Sequence, residues 1–299
     1  MSESVKTALM ANGAIAAAKT VGAIFTGSAS MAAEAVHSFA DCGNQLLLML
    51  GMRNSKREAN ADHPLGYGKD TYFWSFIVAL LLFSLGGLFS LHEGIDKLHN
   101  PEPLKYVGWA VAILLFGFFV ELKSFRVCLA EIRQKYPGKS ILWFLKETRS
   151  PELLVIFGED LAALTGLGIV ATFLGIAFIT GNPVWDAVGS IAVGVLLIGV
   201  AVGLFWEIKA LLIGQSVDPA VRKALREHIH ERDEIEHTYN LVTMQMGVEA
   251  VLMLRCRMTE KEDAQKLLAD INAVEKSIFE AFPQFTHIYL EPDNQVEDF

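Results

Sequence analysis

Glu34-Ala35-Val36-His37-Ser38-Phe39-Ala40-Asp41-Cys42-Gly43-Asn44-Gln45-Leu46-Leu47-Leu48-Met49-Leu50 is the stretch on which the fold turns. It lies within residues 31–52, an apolar run long enough to cross a ~30 Å hydrocarbon core, which takes roughly 20 helical residues. At about 100° per residue, Glu34, His37, Asp41, Asn44 and Gln45 fall within about 100° of arc. They make one polar stripe on an otherwise apolar helix. An ionisable side chain at mid-membrane costs ~2.5–3.5 kcal/mol on insertion scales, so the stripe points to function.

Five more runs of spanning length accompany it, at about 5–26, 72–92, 106–127, 153–179 and 184–214. The first has no basic leader and no clear cleavage site, so it reads as a retained helix. The whole chain of 299 residues is 52% hydrophobic and 20% charged, with mean hydropathy +0.36 and net charge −9. That balance excludes a disordered chain and a nucleic-acid binder. Cys42, Cys128 and Cys256 are far apart with no CxxC spacing, which excludes a disulfide scaffold and a cysteine zinc site.

The texture changes after Gly214. Residues 215–299 carry 17 acidic and 9 basic side chains, whereas the first 214 carry 17 and 16. Nearly all the net charge therefore sits in a polar C-terminal domain. Asp218-Pro219 reads as an N-cap and first helical residue for a helix to about Glu231. Alternation predicts strands at 240–246 and 248–258 around Gly247. Thr259 and Glu262 read as a capping box for a helix ending near Phe282, and 286–290 as a last strand. The order αββαβ suggests a small two-layer α+β module. The predicted fold is thus an all-α six-helix transmembrane domain, 1–214, followed by a cytosolic α+β domain, 215–299.

Lysine and arginine set the orientation. Arg53, Lys56, Arg57 and Lys69 follow the second span, and Arg126, Arg133, Lys135, Lys139, Lys146 and Arg149 follow the fourth. The opposite connections hold only Lys97 and Lys105. Both termini are expected in the cytosol, and a start without a targeting segment fits a bacterial inner membrane.

With that orientation, Asp41 and Asp160 each lie ten residues into their spans, roughly 15 Å deep and half the core thickness. His37 is one turn from Asp41. One imidazole and two carboxylates suit a divalent first-row metal. Glu159 is an alternative ligand or the partner of an intramembrane cation such as Lys19. Asn12 and Lys19 on the first span read as packing or snorkelling groups. Glu121, followed by Lys123 and Arg126, reads as a solvated charge near the cytosolic surface, and Asp186 as the cap of the sixth helix or a guide for cations to the exit.

These residues resemble the cation diffusion facilitators, over almost the whole chain. The matches are Gly27-Ser28 with Glu34, His37 and Asp41; Asp62-His63-Pro64-Leu65-Gly66-Tyr67-Gly68-Lys69; Tyr72-Phe73-Trp74; and Leu211-Leu212-Ile213-Gly214. The resemblance implies a divalent-metal/proton antiporter, usually a homodimer, whose cytosolic domain is ferredoxin-like and dimerises. It implies a transport site of His37, Asp41 and Asp160. Ile156 stands where zinc-transporting members have histidine, so Glu159, Asn44 or a water could complete the shell. Zinc is favoured because His37 is present, with manganese, iron, cobalt and nickel open.

His63 matches one ligand of a cytosolic-loop site found in some members, but Tyr67 replaces a second histidine, and a loop-ordering role is the other reading. Asn240, His287 and Glu291 give no clear match to a C-terminal metal site, and His228, His230 and His237 read as solvated. No organic cofactor is implied. The acidic domain would gather cations at the entrance. An intramembrane metal hydrolase is disfavoured by the absence of HExxH and GxSxG, and a channel by polar groups clustered at one depth.

Overall fold

The computed structural model describes residues 3–26, 29–100, 107–260 and 263–294, without the side chains at 22, 23, 25, 26, 29–37, 40, 107, 109 and 110. The side chains of Glu34 and His37, and residues Gly27, Ser28, Lys105 and Glu262, lie outside the described residues. The chain divides into two compact units: 1–53, 71–146 and 150–209 in one, and 54–70, 147–149 and 210–299 in the other.

The first unit is helical. Its elements are α1 (Glu3–Thr26), α2 (Ala29–Asn54), α3 (Asp70–Leu81), α4 (Phe89–His99), α5 (Val107–Lys135), α6 (Ile141–Glu147), α7 (Pro151–Thr180) and α8 (Val184–Ile213). Among the described residues three stretches, Asp70–His99, Pro151–Thr180 and Val184–Ile213, are long and apolar enough to cross a membrane. At 24, 26 and 29 residues, α1, α2 and α5 also have spanning length, but they carry more polar and charged side chains.

The third span does not end near His92. A π-helical segment, Leu82–Leu88, joins α3 to α4 and carries the rod on to His99. Glycine explains the path: a Cβ on Gly87 would lie 2.6 Å from Ile198 Cγ1, and one on Gly194 would lie 2.7 Å from the Leu91 nitrogen. Backbones approach there as closely as small residues allow. The added turns place Lys97 on the helix, 3.0 Å from Glu93 and 3.5 Å from Asp186. Asp186 is therefore an ion-pair partner and not the cap of α8. Asn182 does the capping, its Oδ1 accepting from the Val184 nitrogen at 3.0 Å.

Helices α5 and α7 run antiparallel. Cys128 meets the Leu153 carbonyl, Phe125 packs on Phe157, and Gly117 lies against Leu167. The start of α7 is fixed by Pro151 at its first turn and by Ser150, whose hydroxyl bonds Lys135 and, at 3.0 Å, the Tyr136 hydroxyl.

The second unit holds α9 (Pro219–His230), β1 (Ile235–Met246), β2 (Glu249–Met258), α10 (Ala264–Ala281) and β3 (Phe285–Pro292), in the predicted order. The sheet order is β1-β2-β3, with β1 and β2 antiparallel and β2 and β3 parallel. The parallel pair requires a crossover, which α10 supplies. Leu225, Ile229, Leu252, Leu254, Val274, Ile278 and Phe285 form the core.

Asp218 Oδ1 accepts from the Ala220 nitrogen at 2.7 Å, the expected cap. The cap of α10 is Asp263, which accepts from Gln265 at 3.0 Å, so the Thr259 capping box is not the device used. β1 starts five residues earlier than alternation indicates, because bulges at 235–240 break the period-two pattern. His228 is half-buried and not solvated: it meets the Ser277 hydroxyl at 2.8 Å and tips against Phe282.

The loop 54–70 belongs to this unit. Gly68 packs against the β1–β2 turn so closely that a Cβ would lie 2.0 Å from the Met246 carbonyl oxygen. Lys69 Nζ reaches the Leu212 carbonyl at 3.5 Å, and Arg149 Nε donates to the Ser216 carbonyl at 2.8 Å.

Candidate metal centre

Helix α7 presents its acidic pair to two different neighbours. Asp160, only 4% exposed, accepts from the Ser124 hydroxyl of α5 at 3.2 and 3.0 Å. Glu159, about 100° round the same helix, accepts from α2: Asn44 Nδ2 at 3.2 Å and Gln45 Nε2 at 2.7 Å. The two carboxylates thus tie α7 to α5 and α2 at one level. Glu159 is held by amides and not by Lys19, and Asn44 is engaged as a donor to Glu159.

One turn back along α2 and α5 lies a second level. Asp41 precedes Asn44 and Gln45 by three and four residues, and Glu121 precedes Ser124 by three, about 4.5–6 Å of rise in each case. The two carboxylates interact electrostatically, and Glu121 also feels Asp160 and the Lys19 ammonium of α1. His37 belongs one turn further along α2, with its side chain outside the described residues.

Glu121 is the residue that sequence reasoning missed. It is 8% exposed and lies in the middle of the 29-residue α5, because the helix runs on to Lys135. Lys123 and Arg126 made it look like a surface charge, whereas Glu121 and Ser124, three apart, share the face turned to α7. That i, i+3 pairing was the available signal.

Asp41, Glu121, Glu159 and Asp160 bring four carboxyl groups into this region, with one nearby amine, Lys19. Four ionised carboxylates in a low-dielectric interior need more positive charge than one lysine supplies. A dication or protons must provide it. Among the described residues no three His, Cys, Asp or Glu side chains converge closely enough to hold an ion in this structure. The pairs stand in two tiers, and a shared ion would have to draw them together. Ile156, fully buried, fills the position one turn before Asp160 with hydrocarbon.

The loop residue His63 has aromatic and amide neighbours. Its ring stacks on Tyr67 at 4.3 Å, Tyr67 accepts from Asn60 Nδ2 at 2.9 Å, and Asn60 Oδ1 accepts from the His63 nitrogen at 2.8 Å. Arg57 covers the other partner, 4.3 Å from the Tyr67 ring centre. These contacts order the loop. In the C-terminal unit His230, His237 and Asn240 are exposed and His287 is half-buried beside Thr286.

A family model described as the cation efflux transmembrane domain matches residues 5–213. The mitochondrial proton-coupled zinc antiporter SLC30A9 of Xenopus laevis is 34% identical over 230 residues, 76% of this chain and 41% of its own. Its Homo sapiens counterpart is 32% identical over 282 residues, 90% of this chain and 50% of its own. The cation-efflux pump FieF of Serratia proteamaculans is 24% identical over 283 residues, 93% of this chain and 89% of its own. The chain spans about half the length of the antiporters it matches.

Proposed function

This chain belongs to the cation efflux family, and from that premise we propose that it exports a divalent metal cation, zinc by preference, in exchange for protons. The observation that carries the reading is the acidic pair of α7, fastened to polar side chains of α2 and α5 inside helices that are otherwise apolar. Such groups are costly in a membrane, so they stay where they serve an ion.

His37, Asp41 and Asp160 are the proposed ligands of the cargo. Asp160 is preferred to Glu159 because two amides already engage Glu159. Metal binding needs a neutral imidazole and ionised carboxylates, so protons and metal compete for the same lone pairs. If the site opens to each side in turn, that competition is the coupling: the dication leaves in one direction and protons return in the other. Zinc accords with His37 and with relatives named as zinc antiporters. A carboxylate-rich site without a second histidine keeps manganese, iron, cobalt and nickel as alternatives.

The proposed architecture is six spans, α1, α2, α3–α4, α5, α7 and α8, within 1–214, with both termini on the lysine- and arginine-rich, cytosolic side. Residues 215–299 form a ferredoxin-like module through which two copies associate. Its negative charge concentrates divalent cations nearby, over a ~8 Å screening length at physiological salt.

Purified chain in proteoliposomes, with a zinc-sensing dye inside and an imposed pH gradient, tests the reading. Zinc flux should follow the gradient and vanish in Asp41→Ala and Asp160→Ala. Flux indifferent to the gradient would refute the exchange, and an active double variant would refute the site.

A further inference from the structure

We infer that Glu121 is a fourth ligand-supplying side chain of the transport site, a carboxylate given by α5 to a divalent cation. This rests on the site proposed above and deepens it. A dication of zinc's size takes four donors in tetrahedral sites, and His37, Asp41 and Asp160 provide three. The other nearby candidates are hydrogen-bonded or apolar. Glu159 accepts from both Asn44 and Gln45, Asn44 could offer only its neutral carbonyl oxygen, and Ile156 has no donor atom.

Glu121 itself is buried. It is 8% exposed, and among the described residues it makes no hydrogen bond. A carboxylate buried in a membrane helix and lacking a hydrogen bond among the described residues is expensive, and a visiting cation would offset that cost. Its place is the right one. Ser124, one turn along the same face, touches Asp160, and Glu121 interacts electrostatically with Asp41 of α2. A cation that drew the two tiers together would take donors from α2, α5 and α7. Charges facing Glu121 come from Lys19 of α1, Asp41 of α2 and Asp160 of α7. Lys19 gives Glu121 a positive neighbour.

The test is zinc affinity of the purified full chain in nanodiscs, by competition with a chromophoric chelator. Glu121→Gln keeps the size of the side chain and should weaken binding at least tenfold. Adding Ile156→His to that variant places a new donor four residues before Asp160, on the same helix face, and should restore affinity to within about threefold of the parent. Glu121→Asp keeps the charge, shortens the reach by one methylene and should cost at least threefold.

Unchanged affinity in Glu121→Gln overturns the inference. So does a loss that Ile156→His does not restore, because Glu121 would then hold the helices and not the ion. Should Glu121→Gln fail to fold, Glu121→Asp decides alone, and parental affinity there overturns the inference. Asp41→Ala and Asp160→Ala separate the two readings. If both bind zinc like the parent, the transport site itself is wrong. If both lose it while Glu121→Gln does not, only Glu121's assignment falls.

Discussion

Ser124 gives one hydroxyl proton to a carboxylate with two oxygens, and it sits 3.2 Å from one oxygen of Asp160 and 3.0 Å from the other. A single donor shared this way fixes the plane of the carboxylate without using up its acceptor capacity, since an ionised carboxylate offers about four lone-pair sites. Asp160 is oriented by α5 with acceptor capacity to spare. Glu159 has one donor on each oxygen, both from α2. Neighbouring acids on one helix are therefore held differently: Glu159 has a donor on each oxygen, whereas Asp160 shares one donor between its two.

Ser124→Ala should weaken zinc binding roughly 3- to 20-fold, the range for an interhelical hydrogen bond of about 0.6–1.7 kcal/mol within a membrane. Ser124→Thr, which keeps the hydroxyl, should bind like the parent. Chelator competition on the two variants checks this. Equal weakening in both would mean that packing at position 124, and not the bond, sets the affinity.

Glu159→Ala should behave in the opposite way. Removing the acceptor leaves the amides of Asn44 and Gln45 buried without it, at a cost of about 1–3 kcal/mol. Thermal unfolding in detergent should therefore shift down, while zinc affinity changes less than threefold. A variant that melts like the parent but no longer binds zinc would make Glu159 the ligand in place of Asp160.

How much of this was legible in the sequence depends on what each signal measures. Asp218-Pro219 and Gly247 are local devices, a cap and a positive-φ turn, and both stand where the residues indicate. Asp41, Asn44 and Gln45 were visible as a stripe because helical spacing is also local. Glu121 was not, since its burial comes from α1 and α7 closing over α5, a tertiary fact that neighbouring Lys123 and Arg126 conceal. Asp186 was misread for a related reason: its partner Lys97 lies on α4, which runs on to His99 past the expected end of the span. The bulges of β1 erase alternation over 235–240, so period-two reading starts too late there.

Gly68 and Gly247 form a contact that side chains would not permit. A Cβ on Gly68 would fall 2.0 Å from the Met246 carbonyl oxygen, and one on Gly247, whose φ is +72°, would fall 2.7 Å from the Gly68 oxygen. Gly68→Ala should push loop 54–70 off the β1–β2 turn, with a cost of about 1–3 kcal/mol for overpacking. Hydrogen exchange should rise in 54–70 and around Met246, with little change at Leu252 and Leu254 in the core. Exchange rates equal to the parent's in the loop would show that the contact gives way without loss.

Alkaline pH offers a test confined to the C-terminal unit. Burial pushes the Cys256 thiol up to about 11 from its ordinary 9.0. The folded chain thus holds this proton more tightly than the unfolded chain does. Below pH 9 both states are protonated, and the thiol adds no pH dependence. Between 9 and 11 the unfolded state ionises first, so stability falls as pH rises, by about 2–3 kcal/mol across two pH units, and levels off above 11. Cys256→Ala should lack this component, so the difference in unfolding midpoint between parent and variant should narrow or reverse from pH 9 to 11. A difference that stays constant over that range would mean the thiol ionises alike in both states. Maleimide labelling at pH 7.5 gives an independent check: buried beside the Met258 sulfur, Cys256 should react only after the unit unfolds.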